Sequence, residues 1–217
     1  MTGQDLGKAA RLTSKFFGTA AIACFAYFAL ALLLLHILRP DYAPTKYMIS
    51  DYANGRHGWV MTTCFLALSC GCLMLLLGLV RSGPTSVAAR IGMVLLGIAS
   101  IGMVVAAIFP TDPEGAPLSQ SGYIHGISFL PNVLSIILAT VLLSVSFGSH
   151  PLWRAYRRTA VTVASLVVLA FVLQFFTLVL GAPPGLPNRI FITVLLAWLL
   201  AASIRLRTVA RDPARGA

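Results

Sequence analysis

The chain has 217 residues, 58% of them hydrophobic and only 10% charged, with a formal net charge of +10 and a mean hydropathy of +0.88. A water-soluble domain carries about a quarter charged residues on its surface, so this composition excludes an ordinary soluble protein and points to lipid as the surrounding solvent. Basic excess can signal nucleic acid, but here its placement argues for membrane topology instead.

Six apolar runs follow in chain order: 16–38, 58–80, 88–109, 123–147, 159–180 and 190–204. A helix needs roughly 20 apolar residues to cross roughly 30 Å of hydrocarbon, and the first five runs meet that length. The sixth is short and is expected to recruit Arg189 and Arg205 as snorkelling ends. Strands are excluded because the runs are continuous rather than alternating, and an open sheet in lipid would leave backbone groups unpaired. The reading is an all-α polytopic membrane protein: one domain over 1–217, six transmembrane helices, and no soluble module outside them. The first run is too long for a signal-peptide core and reads as a retained helix.

Lys8, Arg11, Lys15, Arg81, Arg90, Arg154, Arg157, Arg158, Arg205, Arg207, Arg211 and Arg215 fall at the termini and in the even-numbered loops. Only Arg39, Lys46, Arg56 and Arg189 fall in the odd-numbered loops, a twelve-to-four split. By the positive-inside rule both termini are cytoplasmic and the protein sits in the cell's inner (plasma) membrane. Membrane lipids are the expected partners and nucleic acid is not; the sequence does not determine the oligomeric state. Cys24, Cys64, Cys70 and Cys72 all lie inside predicted spans and read as small packing residues. Small residues at four-residue spacing (Ala67 and Gly71, Gly102 and Ala106, Ala197 and Ala201) mark close helix contacts.

The first loop, from Arg39 to His57, is the longest, and its Asn54-Gly55 pair signals a turn. Tyr42, Tyr47, Tyr52 and Trp59 suit headgroup depth. In the fourth span, counting about 100° per residue from His125 puts Asn132 about 20° away, Ser128 about 60° and Ser135 about 80°. These residues form a polar stripe running inward from one surface, with Pro131 unable to donate to the Ile127 carbonyl. Such a stripe either lines a cavity or makes hydrogen bonds between helices. Asp51, Asp112, Glu114, His36, His57 and His125 fall in the same outer layer, with Gln174 and Thr177 adding polar groups in the fifth span.

Three readings of that layer stand open. Charged groups near helix ends can simply snorkel into headgroups, which fits His36, His57, Glu114, Arg39 and Lys46. Asp51 or Asp112 can pair with Arg56 or Arg189 to tie loops together. Or a carboxylate can orient His125 as a general base or metal ligand, with Asp51, Asp112 and His125 as catalytic candidates. Zinc is the metal that a His–carboxylate set would suit. No H-x-x-x-H or H-E-x-x-H spacing occurs, however, so neither a metal site nor a cofactor is expected.

Ile49-Ser50-Asp51-Tyr52-Ala53-Asn54-Gly55 with Gly58-Trp59-Val60-Met61, and Ile108-Phe109-Pro110-Thr111-Asp112-Pro113 with Ile124-His125-Gly126, carry a resemblance. Across most of its length the chain resembles a prokaryotic membrane family catalogued as domain of unknown function 998. The resemblance implies about six spans and no established reaction. Matched position by position, it points to Ser50, Asp51, Asn54, Gly55, Trp59, Pro110, Asp112, His125 and Gly126. Many members carry a second His four residues beyond the one matching His125; here that position is Phe129, so the resemblance implies no two-His metal site. The layout also looks distantly like the seven-span alkaline ceramidase and adiponectin-receptor hydrolases, but with fewer spans and without their paired-His motif. Neither their zinc nor their amide hydrolysis is carried over.

The expectation is an outward-facing polar pocket that binds or processes a lipid or other amphiphile. Asp51, Asp112 and His125 surround its mouth, and Ser50, Asn54, Arg56, Asn132, Gln174 and Arg189 bind substrate. A transporter would need the stripe to continue past Ser135 through Thr140 and Ser144. A scaffold would have its acids neutralised and no cavity.

Overall fold

The computed structural model describes residues 3–209. Six helices account for most of them: α1 Gly3–Leu38, α2 Gly58–Ser82, α3 Val87–Ile108, α4 Gln120–Ser146, α5 Arg157–Val179 and α6 Gly185–Val209. All six are long and apolar enough to cross a membrane. Among the topology-bearing cations, Arg211 and Arg215 lie outside the described residues, as do the side chains of Lys8 and Arg11.

The helix boundaries have local causes. Ser86 Oγ accepts the Ala89 N–H at the start of α3, and Ser119 Oγ accepts the Gly122 N–H at the start of α4. Each satisfies an N–H that the helix itself leaves unpaired. Gly55 takes the left-handed conformation at φ 67° in the Asn54-Gly55 turn, and His57 follows at φ 65° as the cap of α2. The sixth helix departs from its expected bounds, running 25 residues rather than from 190 to 204. Polar residues interrupt the apolar run at both ends, but the structure gives them partners, so the helix continues through them. Pro187 is tolerated because it lies in the first turn, where its missing N–H breaks no helical bond.

The helices form a closed ring in chain order. Each packs on its sequence neighbours, α6 returns to α1, and α2 also touches α6 across the interior. The outer faces remain apolar: Leu30 and Ile101 are each 67% exposed, as a lipid-facing surface requires. Two of the small-residue contacts are visible. A Cβ on Gly71 would run into the Phe25 ring of α1, and one on Gly102 would come within 2.5 Å of Asn132 Cγ on α4. Ser69 and Ser100 join α2 to α3 reciprocally, each hydroxyl donating to the other's carbonyl at 2.8 and 2.9 Å.

At the end bearing the chain termini, Trp153 is fully buried, stacks on Phe147 at 4.5 Å and donates its indole N–H to Ser82 O at 2.8 Å. Nearby, Ser144 Oγ accepts from Trp198 Nε1 at 2.9 Å and approaches Ala160 O at 3.1 Å. The opposite end gathers the α1–α2, α3–α4 and α5–α6 loops, and the candidate site lies there.

Candidate ligand site at the loop end of the bundle

The α1–α2 loop is built around Arg39. The side chain is only 7% exposed, contrary to the snorkelling expectation. Its Nε and Nη2 grip Asp41 at 3.0 and 2.8 Å, while Nη1 donates to Arg56 O at 2.8 Å, to Asn54 O, and more weakly to Tyr52 O at 3.4 Å. The guanidinium's fixed fork of donors suits this convergence of carbonyls. Its bond to Asp41 also holds that carboxyl below the usual range.

Arg189, near the start of α6, holds the same loop from the other side. Its Nε donates to His36 Nε2 at 2.9 Å, Nη1 to Tyr47 O at 2.6 Å and to Gly185 O at 3.0 Å, and Nη2 to the Tyr52 hydroxyl at 3.0 Å. Asn188 Oδ1 accepts the Ile49 N–H at 3.0 Å. These contacts fix a 3-10 turn over Ile49–Ala53, which carries Ser50 and Asp51. The ion pairs among the described residues are Arg39–Asp41 and Lys46–Glu114. The reading that pairs Asp51 or Asp112 with Arg56 or Arg189 finds no such ion pair among the described residues; Arg189 donates instead to Tyr47 O, Gly185 O, the Tyr52 hydroxyl and His36.

Two cavities meet behind this turn. The wider one, about 550 Å³, is lined by Lys46, Ser50, Asp51, Asp112, Glu114, His125, Gly126 and the α5–α6 turn through Pro184. That volume falls within the range of about 300–1,000 Å³ typical of ligand pockets. The second is a narrow throat of about 60 Å³, running between helices past Phe65, Met103, Ala106, Ser128, Asn132 and Phe191. Met48, Ser50, His125 and Phe129 line both, so mouth and throat adjoin at those four residues.

His125 is buried at the junction. Its Nδ1 lies 2.8 Å from Phe109 O. A carbonyl can only accept, so Nδ1 carries a proton, and in the neutral ring Nε2 keeps a lone pair for whatever occupies the cavity. Asp51 is half-buried, with Oδ2 accepting the Met48 N–H at 2.8 Å. Burial pushes its carboxyl above the ordinary range; the Met48 hydrogen bond and the Arg189 charge oppose that rise, and Glu114 adds to it.

Asp112 also lines the mouth, but its oxygens are committed. Oδ2 accepts the Ser119 N–H at 2.8 Å and Oδ1 the Ser119 hydroxyl at 2.6 Å, closing the loop onto the first turn of α4. These bonds hold its carboxyl below the usual range. Gly122 makes the approach possible, since a Cβ there would strike the Asp112 carboxylate.

The polar stripe of α4 faces inward as its spacing predicts. His125, Asn132 and Ser135 are buried, and His125, Ser128 and Asn132 line the throat. Only part of it bonds between helices, His125 reaching the Phe109 carbonyl at the end of α3. Ser128 and Ser135 bond back to His125 O and Pro131 O on their own helix, while Asn132 Nδ2 reaches only Met103 Sδ at 3.7 Å. Asn132 Oδ1 is buried without a partner among the described residues, as are both polar atoms of the fully buried Gln174. A buried amide oxygen without a donor is costly, and in Asn132 it sits in a residue of the throat wall.

Ser50, Asp51, Asp112, His125 and Asn132 thus line two adjoining cavities. Asn54, Arg56, Gln174 and Arg189 line neither cavity. Asn54 and Arg56 contribute carbonyls to Arg39, and the Arg56 side chain is exposed. No group of three His, Cys, Asp or Glu side chains gathers as a metal would need among the described residues. Sequence reasoning passed over Asn188 and read His36 and Arg39 as snorkelling ends. The signal for Asn188 and Arg189 lay in their place just ahead of an apolar run, where polar groups are worth testing as internal anchors.

Asp51 supplies a prediction. Because its carboxyl is raised in the folded state, folding opposes its ionisation. Stability contributed by the neutral acid is full below the ordinary carboxylate pKa and is lost as pH rises through the raised native value. Asp51→Asn keeps an acceptor for Met48 N–H without the charge. It is therefore expected to be at least as heat-stable as the wild type at pH 8 and to lose that pH dependence. Asp51→Ala, which also removes the acceptor, is expected to be less stable by about 1–3 kcal/mol. Melting curves in detergent from pH 4 to 8 give the comparison, and parallel wild-type and Asp51→Asn curves would refute it.

Six membrane-crossing helices closed in a ring, with connecting loops folded over one end, define a polytopic integral membrane protein. The chain belongs to the family described as protein of unknown function (DUF998), whose model matches residues 21–205. No curated protein and no solved structure matches it significantly.

Proposed function

We propose that this protein binds an amphiphile at the loop end of the bundle, with a polar headgroup in the mouth and an apolar segment in the throat. The observation that carries the proposal is the adjacency of the two cavities: a wide space edged by Lys46, Asp51, Glu114 and His125 adjoins a narrow one walled by Phe65, Met103, Phe129 and Phe191. Charges of both signs edge the mouth, which suits a zwitterionic headgroup. By the distribution of Lys and Arg, the termini lie in the cytoplasm and the mouth opens on the outer side of the inner membrane.

Binding rather than passage is favoured by the far half of α4. Thr140 bonds within its own helix, and Ser144 accepts from Trp198, so the polar groups there serve packing rather than a conduit. His125, with a free Nε2 beside Asp51, would act as the base if the bound molecule is also transformed.

Ala106 lies in the throat wall. Ala106→Phe fills it and is expected to weaken binding of a fluorescent lysophosphatidylcholine by about tenfold or more, about 1.4 kcal/mol. Fluorescence titration of the folded, purified variant checks this. Equal affinity in variant and wild type would remove the throat from the proposal.

A further inference from the structure

A second site lies on another face of the same end. Between α1 and α6 runs a groove of about 330 Å³, walled by Phe28, Leu32, Ile192 and Leu196 and ending at His36 and Arg189. It shares Ile192 with the throat and nothing with the mouth. Leu33, 63% exposed, and the exposed Thr193 edge its open side, so the groove faces lipid.

The charge at its end has no direct ion-pair partner among the described residues. All of Arg189's hydrogen-bond partners are neutral: Tyr47 O, Gly185 O, the Tyr52 hydroxyl and His36 Nε2. His36 Nδ1 lies 2.7 Å from Leu32 O, so that nitrogen carries the ring's proton and Nε2 accepts from Arg189, which makes the imidazole neutral. Among the described residues the ion pairs involve Arg39 and Lys46, not Arg189. Four of the five guanidinium N–H groups are engaged, leaving one on Nη2. A half-buried cation that makes no direct ion pair among the described residues, at the headgroup end of an apolar groove, is complementary to a phosphate carried on an acyl chain.

We infer that this groove holds one chain of an anionic phospholipid, with its phosphate paired to Arg189. The neutral contacts orient the guanidinium, and the lipid supplies the charge that the protein withholds.

The test is native mass spectrometry of full-length protein released from nanodiscs of equal phosphatidylglycerol and phosphatidylcholine. The wild type is expected to retain one phosphatidylglycerol in preference to phosphatidylcholine by about tenfold. Arg189→Gln is expected to lose the preference. Because Arg189 also anchors the loop, Ala29→Phe provides a second variant: it fills the groove wall without touching the guanidinium and is expected to lose the retained lipid. Equal retention of the two lipids by the wild type would overturn the assignment, as would undiminished phosphatidylglycerol on Ala29→Phe. Thermal protection of lipid-free protein by inorganic phosphate, equal in wild type and Ala29→Phe, would assign the site to a soluble anion and overturn it as well. Ala106→Phe is expected to keep the phosphatidylglycerol preference, so failure here and failure of the throat proposal are separable.

Discussion

Arg39→Leu is expected to lower stability by about 1–3 kcal/mol, the range for leaving buried hydrogen-bond acceptors without a donor. Three loop carbonyls lose their donor and Asp41 loses its partner, while the apolar replacement returns no hydrogen bond. The loop then no longer holds the Ile49–Ala53 turn, so Ser50 and Asp51 leave their places in the mouth. Arg39→Lys is expected to recover only part of the loss, because one ammonium cannot reach Asp41 and the carbonyls with the same fork. Folded yield by size-exclusion chromatography and melting temperature in detergent measure both variants. A leucine variant as stable as the wild type would show that the loop is held by its tyrosines instead.

Gly185→Ala is the second large effect. Gly185 opens α6 directly beneath the α1–α2 loop, and a Cβ there would meet backbone: Pro44 O, Thr45 C at 2.6 Å and Lys46 N at 2.8 Å. Backbone cannot rotate away as a side chain can, so the loop or the helix start must shift. A cost of about 1–3 kcal/mol follows, although alanine is the better helix former by about 1 kcal/mol. The sign is thus opposite to propensity. Since Asn188 and Arg189 sit one turn further along α6, the variant is also expected to weaken their contacts with Ile49 and Tyr47. A melting temperature unchanged or raised would contradict the close approach.

The spans were legible because continuous apolar runs of bilayer length have few other solutions in water or lipid. The inward stripe of α4 was legible for a similar reason, since helical periodicity alone puts His125 and Asn132 on one side. What stayed hidden depended on contacts distant in sequence. Nothing local distinguishes Arg39, which is buried by carbonyls 13 to 17 residues ahead of it, from a cation snorkelling at a helix end. Asp112 looked like a site acid because it sits in a loop beside His125. Its capping bonds to Ser119 depend on the loop folding back, which spacing does not show. Arg189 was expected to serve the same pocket as Asp51, but its place on α6 turns it toward the α1 groove. The sixth helix was drawn too short because its polar residues were counted as ends, when they are anchors inside the fold.

The most direct test of the amphiphile site is cysteine labelling at Gly126, which lines the mouth and where an added Cβ meets nothing within 4 Å. All four native cysteines lie within α1 and α2. A membrane-impermeant maleimide applied to intact cells is expected to modify Gly126→Cys, and lysophosphatidylcholine to slow that reaction by about tenfold. Arg90→Cys, at the opposite end of the bundle, is expected to react only after lysis. Labelling of Gly126→Cys only after lysis would reverse the topology, and a rate indifferent to the lipid would contradict the site itself.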